Sequence, residues 1–143
     1  MRIRRAVIDT NVIIYAYFED SKYHKEARKI LRSLKEWIVP FIVIVELFWF
    51  SRGANLNEKS RKGLLMFLLS NPRVKISHNQ LEELMESVMV EDPLEFEDEL
   101  ILQQAERERV PIVTFDRYLA ERARSRGLEV IPSVDQDTRE SST

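Results

Sequence analysis

The sequence predicts an α/β fold in which helices flank a central parallel β-sheet. Short apolar runs of strand character alternate with longer amphipathic stretches along the chain. Repeated strand–helix units with short connections favour parallel pairing of the strands. The length of 143 residues fits one domain with a proper core. We expect residues 1–132 to form that domain and residues 133–143, which lack apolar periodicity, to be a disordered tail.

The first third of the chain carries two predicted strands and two predicted helices. Ile3–Ile8 is a β-prone run that predicts the first strand, and Thr10–Phe18 can continue from it as a helix. Lys22–Leu34 has apolar residues at helical spacing, which predicts the second helix. Trp37–Val39 predicts a short strand that ends at Pro40.

The segment Phe41–Phe50 supports two interpretations. Its β-branched and aromatic residues favour a strand. Its length and its apolar character on all sides fit a fully buried helix equally well. The residues of this segment alone leave both interpretations open.

The middle of the chain predicts a helix, a short strand and a second helix. Leu64–Leu69 lies in a helix that stops before an Asn-Pro pair, and Val74–Ile76 is a brief strand. Asn79–Val90 predicts the second helix, with Asn79 as its N-cap. Glu82, three residues later, completes the pattern of a capping box.

The last third repeats the strand–helix alternation. Phe96–Arg109 has an apolar helical face, and Val110–Phe115 predicts the strand that follows it. Arg117–Arg126 predicts a helix that ends at Gly127, a residue typical of the position after a helix. Leu128–Ile131 predicts the last strand.

The composition excludes several classes of protein. The chain has no cysteine, so a disulfide framework, a thiolate nucleophile and a cysteine zinc site are excluded. Its apolar runs are each shorter than the roughly 20 residues that cross a bilayer, and no signal peptide is evident. We therefore predict a cytoplasmic protein with no membrane contact. The net charge of −2 neither supports nor excludes RNA as a partner.

Two aspartates follow predicted strands directly, namely Asp9 and Asp116. Ligands of open parallel sheets bind outside the carboxyl ends of the strands, and helix N-termini add positive potential there. Small polar residues accompany both aspartates: Thr10 and Asn11 follow the first, and Thr114 precedes the second. The strand ends therefore predict an acidic functional site.

Two further carboxylates are candidates for the same site. Glu46 is the only charged residue between Glu36 and Arg52, and a carboxylate in apolar surroundings costs several kcal/mol unless it is protonated, paired or metal-bound. A buried ion pair, or a position that reaches water, would also explain it. Asp98 lies in an acidic run that could instead be a solvated first helical turn.

Several carboxylates in one place require a cation, because close like charges raise carboxylate pKa values. Hard oxygen ligands suit Mg²⁺ or Mn²⁺ better than Zn²⁺, which prefers histidine and cysteine. His24 and His78 have no paired spacing, so we expect them to be surface or capping residues.

Four segments together resemble the PIN domain family. They are VIDTNVIIYA with Asp9, VIVELFW with Glu46, FEDELILQQA with Asp98 and IVTFD with Asp116. Each motif is short, but all four occur in the family's order and at similar spacing, from about Ile3 to Pro132.

The resemblance implies a three-layer α/β/α sandwich around the parallel sheet, with Phe41–Phe50 as a helix. It implies that four carboxylates are catalytic and bind Mg²⁺ or Mn²⁺. It also implies that Asn11 and Thr114 support these carboxylates. The implied ligands are Asp9, Glu46, Asp98 and Asp116.

The resemblance also implies partners and an activity. Short members of the family are mostly VapC-type toxins, which are Mg²⁺-dependent ribonucleases that an antitoxin holds inactive, and they commonly form homodimers. The alternatives are an inactive PIN-fold module that binds RNA or protein, and a PIN nuclease of RNA processing. We expect the dimer contact among the apolar residues Phe41, Leu47, Phe48, Trp49, Phe50, Phe67 and Leu68.

The sequence departs from the family pattern at two positions. Tyr118 stands where many members carry a further acidic residue, which puts a second firmly held metal ion in doubt. Glu99 replaces the usual alanine after the helical aspartate, which could shift the ligand to Glu97. Asp98 fits the pattern better, because Leu100, Ile101 and Ala105 then fall on the expected apolar positions.

Overall fold

The computed structural model describes residues 4–133 and confirms the α/β fold with a five-stranded, all-parallel sheet. The strands are β1 (Arg5–Ile8), β2 (Glu36–Pro40), β3 (Val74–Ser77), β4 (Ile112–Val113) and β5 (Val130–Ile131). Within the described residues the helices are α1 (Thr10–Tyr17), α2 (His24–Ser33), α3 (Phe41–Gly53), α4 (Glu58–Leu69), α5 (Leu81–Ser87), α6 (Phe96–Glu108) and α7 (Arg117–Ser125), with a 3₁₀ turn at Pro93–Glu95. Residues 1–3 and nearly all of the predicted tail, residues 134–143, lie outside the described part.

The strand order is β3-β2-β1-β4-β5, so the chain reverses its direction of travel across the sheet at β1. Parallel crossovers are right-handed, and this reversal therefore places the connecting helices on both faces of the sheet. The strands are accordingly buried on both faces: Val7, Ile38 and Ile112 are fully buried. The point of reversal, between β1 and β4, is where an open α/β sheet forms its ligand-binding crevice.

Two strands are shorter than the sequence predicts. β4 covers only Ile112–Val113 of the predicted Val110–Phe115, because the amide of Val110 donates to the Ala105 carbonyl at the end of α6 (3.2 Å). β5 pairs with β4 at only two positions and is likewise shorter than predicted.

The ambiguous segment Phe41–Phe50 is a helix, and α3 begins directly after Pro40. It is not fully buried: Val43 and Leu47 lie in the core, whereas other side chains of α3 are half-exposed. The predicted dimer contact is therefore wrong in part, because Leu47 and Leu68 are inaccessible core residues. The half-exposed aromatic residues of α3 are Phe41, Phe48 and Trp49.

The predicted capping box of α5 is wrong by one residue. Gln80 is the N-cap and Glu83 is its partner, in place of Asn79 and Glu82. The Asn79 amide instead donates to the Leu100 carbonyl (3.0 Å) and accepts from buried Gln104 (2.9 Å). A buried amide needs such a partner, so tertiary contact outweighs the local signal. The helix ends at Ser87, three residues before the predicted Val90.

The end of α7 is as predicted, with Gly127 just past the helix at φ +80°, a conformation that glycine adopts at low cost. No helix in residues 4–133 is both long enough and apolar enough to span a membrane.

Candidate active site

The main chain brings Asp9 and Asp116 to the same end of the sheet. β1 and β4 pair in parallel, and the amide of Asp9 extends the ladder by donating to the Val113 carbonyl (3.0 Å). Asp9 follows β1 and caps α1, whereas Asp116 lies just beyond β4 and caps α7. Both aspartates therefore stand at the point where the chain reverses across the sheet.

Asp9 is buried, with 7% of its surface exposed, and both carboxylate oxygens accept hydrogen bonds. Oδ1 accepts from the Thr10 amide (2.8 Å), and Oδ2 accepts from the Thr114 hydroxyl (2.6 Å). The Thr114 hydroxyl oxygen accepts in turn from the amide of Asp116 (3.0 Å). Thr114 is thus the direct link between the two aspartates.

Asp116 is exposed, and its position is set by the first turn of α7. Its Oδ1 accepts from the amides of Tyr118 (2.9 Å) and Leu119 (3.2 Å). Asn11 holds the adjoining loop, because its Oδ1 accepts from the Phe115 amide (3.3 Å). The predicted supporting residues Asn11 and Thr114 therefore both contact the segment that carries Asp116.

Glu46 reaches the same place from the middle of α3. The Thr10 hydroxyl donates to its Oε1 (2.5 Å), which ties α3 to the turn that carries Asp9. The pKa of Glu46 is raised to about 8, because burial and the nearby carboxylate of Glu97 together outweigh the hydrogen bond from Thr10, which lowers it. The groups nearest to the Glu46 carboxylate therefore include other acidic side chains, Glu97 and Asp9, which its apolar sequence context did not reveal.

The first turn of α6 supplies two acidic side chains to the site. Asp98 is partly buried, and its pKa rises to about 6 because of burial and the charge of Asp116. Glu97 lies within hydrogen-bonding range of Glu46, and this contact raises the pKa of Glu46. The sequence presented Asp98 and Glu97 as alternatives, whereas the structure places both at the site.

The carboxylates lie within range of each other's charge. The pKa of Asp9 is raised to about 6, because burial and the charges of Asp116 and Asp98 together outweigh the hydrogen bonds from Thr114 and Thr10, which lower it. Carboxylates that raise each other's pKa are stabilised in their charged forms by a cation.

Arg122 is a part of the site that the sequence analysis missed. This residue of α7 is 18% exposed and lies 3.8 Å from Asp98 Oδ2, 3.8 Å from Glu95 Oε1 and 3.0 Å from Glu99 Oε1. Its positive charge lowers the pKa of Asp98. The sequence signal was weak, because Arg122 belongs to a helix that also carries Arg124 and Arg126.

The donor set fits a hard divalent cation, since it consists of carboxylate oxygens from four different elements of the fold. Within residues 4–133, however, no three acidic or histidine side chains form a ready-made metal-binding group. The two histidines do not join the carboxylates. His24 bonds to the Tyr15 carbonyl, and His78 stacks on Phe41.

The model of the PIN domain family matches residues 6–140. A search of curated proteins by sequence found no match. The fold is similar to that of VapC20 of Mycobacterium tuberculosis, a toxin that cleaves the sarcin-ricin loop, with a TM-score of 0.69 at 11% identity over 81% of this chain and 93% of that one.

Two further solved structures share the fold. VapBC2 of Rickettsia felis, bound to a DNA fragment from its promoter, has a TM-score of 0.59 at 19% identity over 88% of this chain and 96% of that one. A toxin–antitoxin complex of Klebsiella pneumoniae has a TM-score of 0.52 at 20% identity over 78% of this chain and 86% of that one. Identities this low establish a shared fold and no shared substrate.

Proposed function

This chain belongs to the PIN domain family, and on that premise we propose that it is a Mg²⁺- or Mn²⁺-dependent endoribonuclease and the toxin of a toxin–antitoxin pair. The observation that carries the proposal is the meeting of Asp9, Glu46 and Asp98 with Asp116 at the carboxyl ends of β1 and β4. The reaction would be hydrolysis of an RNA phosphodiester bond.

The four carboxylates would hold the divalent ion. When bound, such an ion supplies Lewis-acid stabilisation of charge on the phosphate and activation of water. Thr114 orients Asp9 through Oδ2, and Thr10 orients Glu46 through Oε1. Asp116 is exposed at the mouth of the site, so it would hold the ion on the side that a substrate phosphate can reach.

The structural neighbours support the toxin assignment. One is a toxin that cleaves the sarcin-ricin loop, and two are toxin–antitoxin assemblies. We infer a small antitoxin protein and a second copy of this chain as partners. Apolar side chains exposed on α5 and on α3–α4 are available to both. They are Leu81 and Met85 on α5, Val88 and Met89 directly after it, and Phe48, Trp49, Met66 and Leu69 on α3–α4.

The decisive experiment is cleavage of RNA by purified protein with and without Mn²⁺. Asp9→Asn and Asp116→Asn should each lower the rate by about a hundredfold or more, because a lost ligand removes several kcal/mol of charge stabilisation. Asp20→Asn, the same change on an exposed turn after α1, serves as the matched control and should cleave like the wild type. Equal cleavage by the Asp9→Asn protein in EDTA would exclude the proposal.

A second candidate is an inactive PIN-fold module that binds RNA or protein. Tyr118 favours it, because a tyrosine stands where many relatives carry an acidic residue, and no ready-made metal-binding group occurs in the described part of the chain. Calorimetric titration with Mn²⁺ separates the candidates. Heat of binding that Asp9→Asn abolishes supports the nuclease, and its absence from the wild type supports the module.

A further inference from the structure

Tyr118 lies at the rim of the acidic site with an exposed aromatic ring. It is two residues beyond Asp116 in the first turn of α7, and 53% of its surface is accessible. In residues 4–133 its ring stacks on no other aromatic ring, unlike Tyr15 and Tyr23, which both pack against Phe115. An exposed ring beside a site of this kind contributes little to the core.

Tyr118 is held by hydrogen bonds at its backbone and at its hydroxyl. Its backbone amide donates to Asp116 Oδ1 (2.9 Å), and its hydroxyl donates to Glu95 Oε2 (2.6 Å). The other oxygen of Glu95 lies 3.8 Å from Arg122, which also faces Asp98. A side chain that is fixed before binding loses less conformational entropy when a ligand packs on it.

The charges around Tyr118 select the part of a nucleic acid that can approach it. Glu95 and Asp92 raise the pKa of the Tyr118 hydroxyl and Arg122 lowers it, so two carboxylates face one cation in this section of the rim. Such a surface favours an uncharged group over a phosphate. A nucleobase is uncharged and offers a flat face to an aromatic ring, and stacking of this kind tolerates any base.

We propose that Tyr118 selects unpaired RNA, whatever the base, by stacking its ring on the nucleobase next to the phosphate that reaches the carboxylates. This inference rests on the proposed ribonuclease function and deepens it. The base must leave its own stack to contact Tyr118, so the substrate is RNA that is unpaired beside the scissile bond. Glu95 is a positioning residue that acts through the Tyr118 hydroxyl.

The test is the affinity for a short fluorescein-labelled single-stranded RNA, measured by fluorescence anisotropy with Ca²⁺ in place of Mn²⁺, so that the carboxylates keep a hard cation. A gel run after the measurement checks that the RNA is intact. Tyr118→Ala should bind about 5- to 100-fold more weakly, the range that stacking on one base contributes. Tyr118→Phe keeps the ring and should retain most of the affinity. Asp20→Asn, on the exposed turn after α1, should bind like the wild type.

Two results would overturn the inference. One is wild-type affinity in Tyr118→Ala, and the other is a loss in Tyr118→Phe as large as that in Tyr118→Ala, which would assign the effect to the hydroxyl. Cleavage with Mn²⁺ is measured in parallel. A wild type that cleaves while Tyr118→Ala binds normally overturns only this inference, whereas a wild type that neither binds nor cleaves RNA removes the proposed function as well.

Discussion

The two ends of the sheet carry acidic residues in opposite settings. At the amino end, Arg5 bridges Glu36 (2.6 Å) and Glu108 (3.0 Å), and Arg4 pairs with Glu129 (2.8 Å). At the carboxyl end, carboxylates from β1, α3, α6 and α7 face one another, and Arg122 reaches only part of the group. The same strands therefore end in paired charges on one side and in crowded like charges on the other.

The pKa shifts record this contrast. Hydrogen bonds to Glu36 and Glu108 raise the pKa of Arg5, so these contacts stabilise the charged guanidinium. At the other end, burial and neighbouring carboxylates raise the pKa values of Asp9 and Glu46. Charges at the amino end stabilise the fold, whereas those at the carboxyl end oppose it. Such a cost marks a site that is retained for binding or chemistry.

The contrast predicts how stability depends on pH. The pKa of Asp9 is about 6 in the folded protein, against the ordinary aspartate value of 3.8 that applies in the unfolded chain. The folded state therefore holds a proton that the unfolded state has lost, and stability falls as the pH rises from about 4 to 6. The loss attributable to Asp9 is about 3 kcal/mol of the free energy of unfolding, since one pKa unit is worth about 1.36 kcal/mol.

Urea denaturation of the wild type and Asp9→Asn across this pH range measures the effect. Asparagine keeps the N-cap of α1 but carries no charge. The two proteins should be equally stable near pH 4, and the variant should be the more stable one near pH 7 in the absence of metal. A difference in stability that does not change with pH would contradict the raised pKa of Asp9 in the folded protein.

A divalent ion should offset the loss of stability that the crowded carboxylates cause at the carboxyl end of the sheet, and should have no such effect at the amino end. Mn²⁺ at about 100 times its dissociation constant should raise the free energy of unfolding by about 2.7 kcal/mol, because it binds the folded state only. The gain should vanish in Asp9→Asn and persist in Arg5→Gln. Thermal melts at several Mn²⁺ concentrations provide the measurement, and an equal gain in Asp9→Asn would place the ion elsewhere.

The smallest effect is expected at the amino end. Arg5→Gln removes two ion pairs, but its side chain is 40% exposed, so the loss of stability should be about 1 kcal/mol. The loss should shrink at high salt, which screens exposed charges. RNA cleavage should remain at the wild-type level. Lower cleavage at unchanged stability would show that the two ends of the sheet are coupled.

The parts of the fold that were predictable depend on local patterns. The strand-end aspartates Asp9 and Asp116 follow from the run of apolar residues before each one, and the structure places both at the point of chain reversal. The α/β class follows from the alternation of patterns. The ends of β4 and the cap of α5 were not predictable, because contacts with Ala105 and Gln104 decide them.

The site was predictable in its acidic residues and not in the residues that hold them. Glu46 stands out as the only charged residue between Glu36 and Arg52, but nothing near it in the sequence indicates its bond from Thr10. The approach of Glu97 to Glu46 joins residues about fifty positions apart. Arg122 and Glu95 carried no signal, because charged residues on exposed helices are common and only their contacts distinguish them.

The sequence by itself determined the class of fold, the strand ends that carry Asp9 and Asp116, and the family to which the chain belongs. Only the tertiary structure decided which charges are paired, because pairing depends on distances between elements that the chain order does not fix. It joined Arg5 to Glu36 and Glu108 at one end of the sheet. At the other end it gathered carboxylates from four elements, where burial and like charge act together.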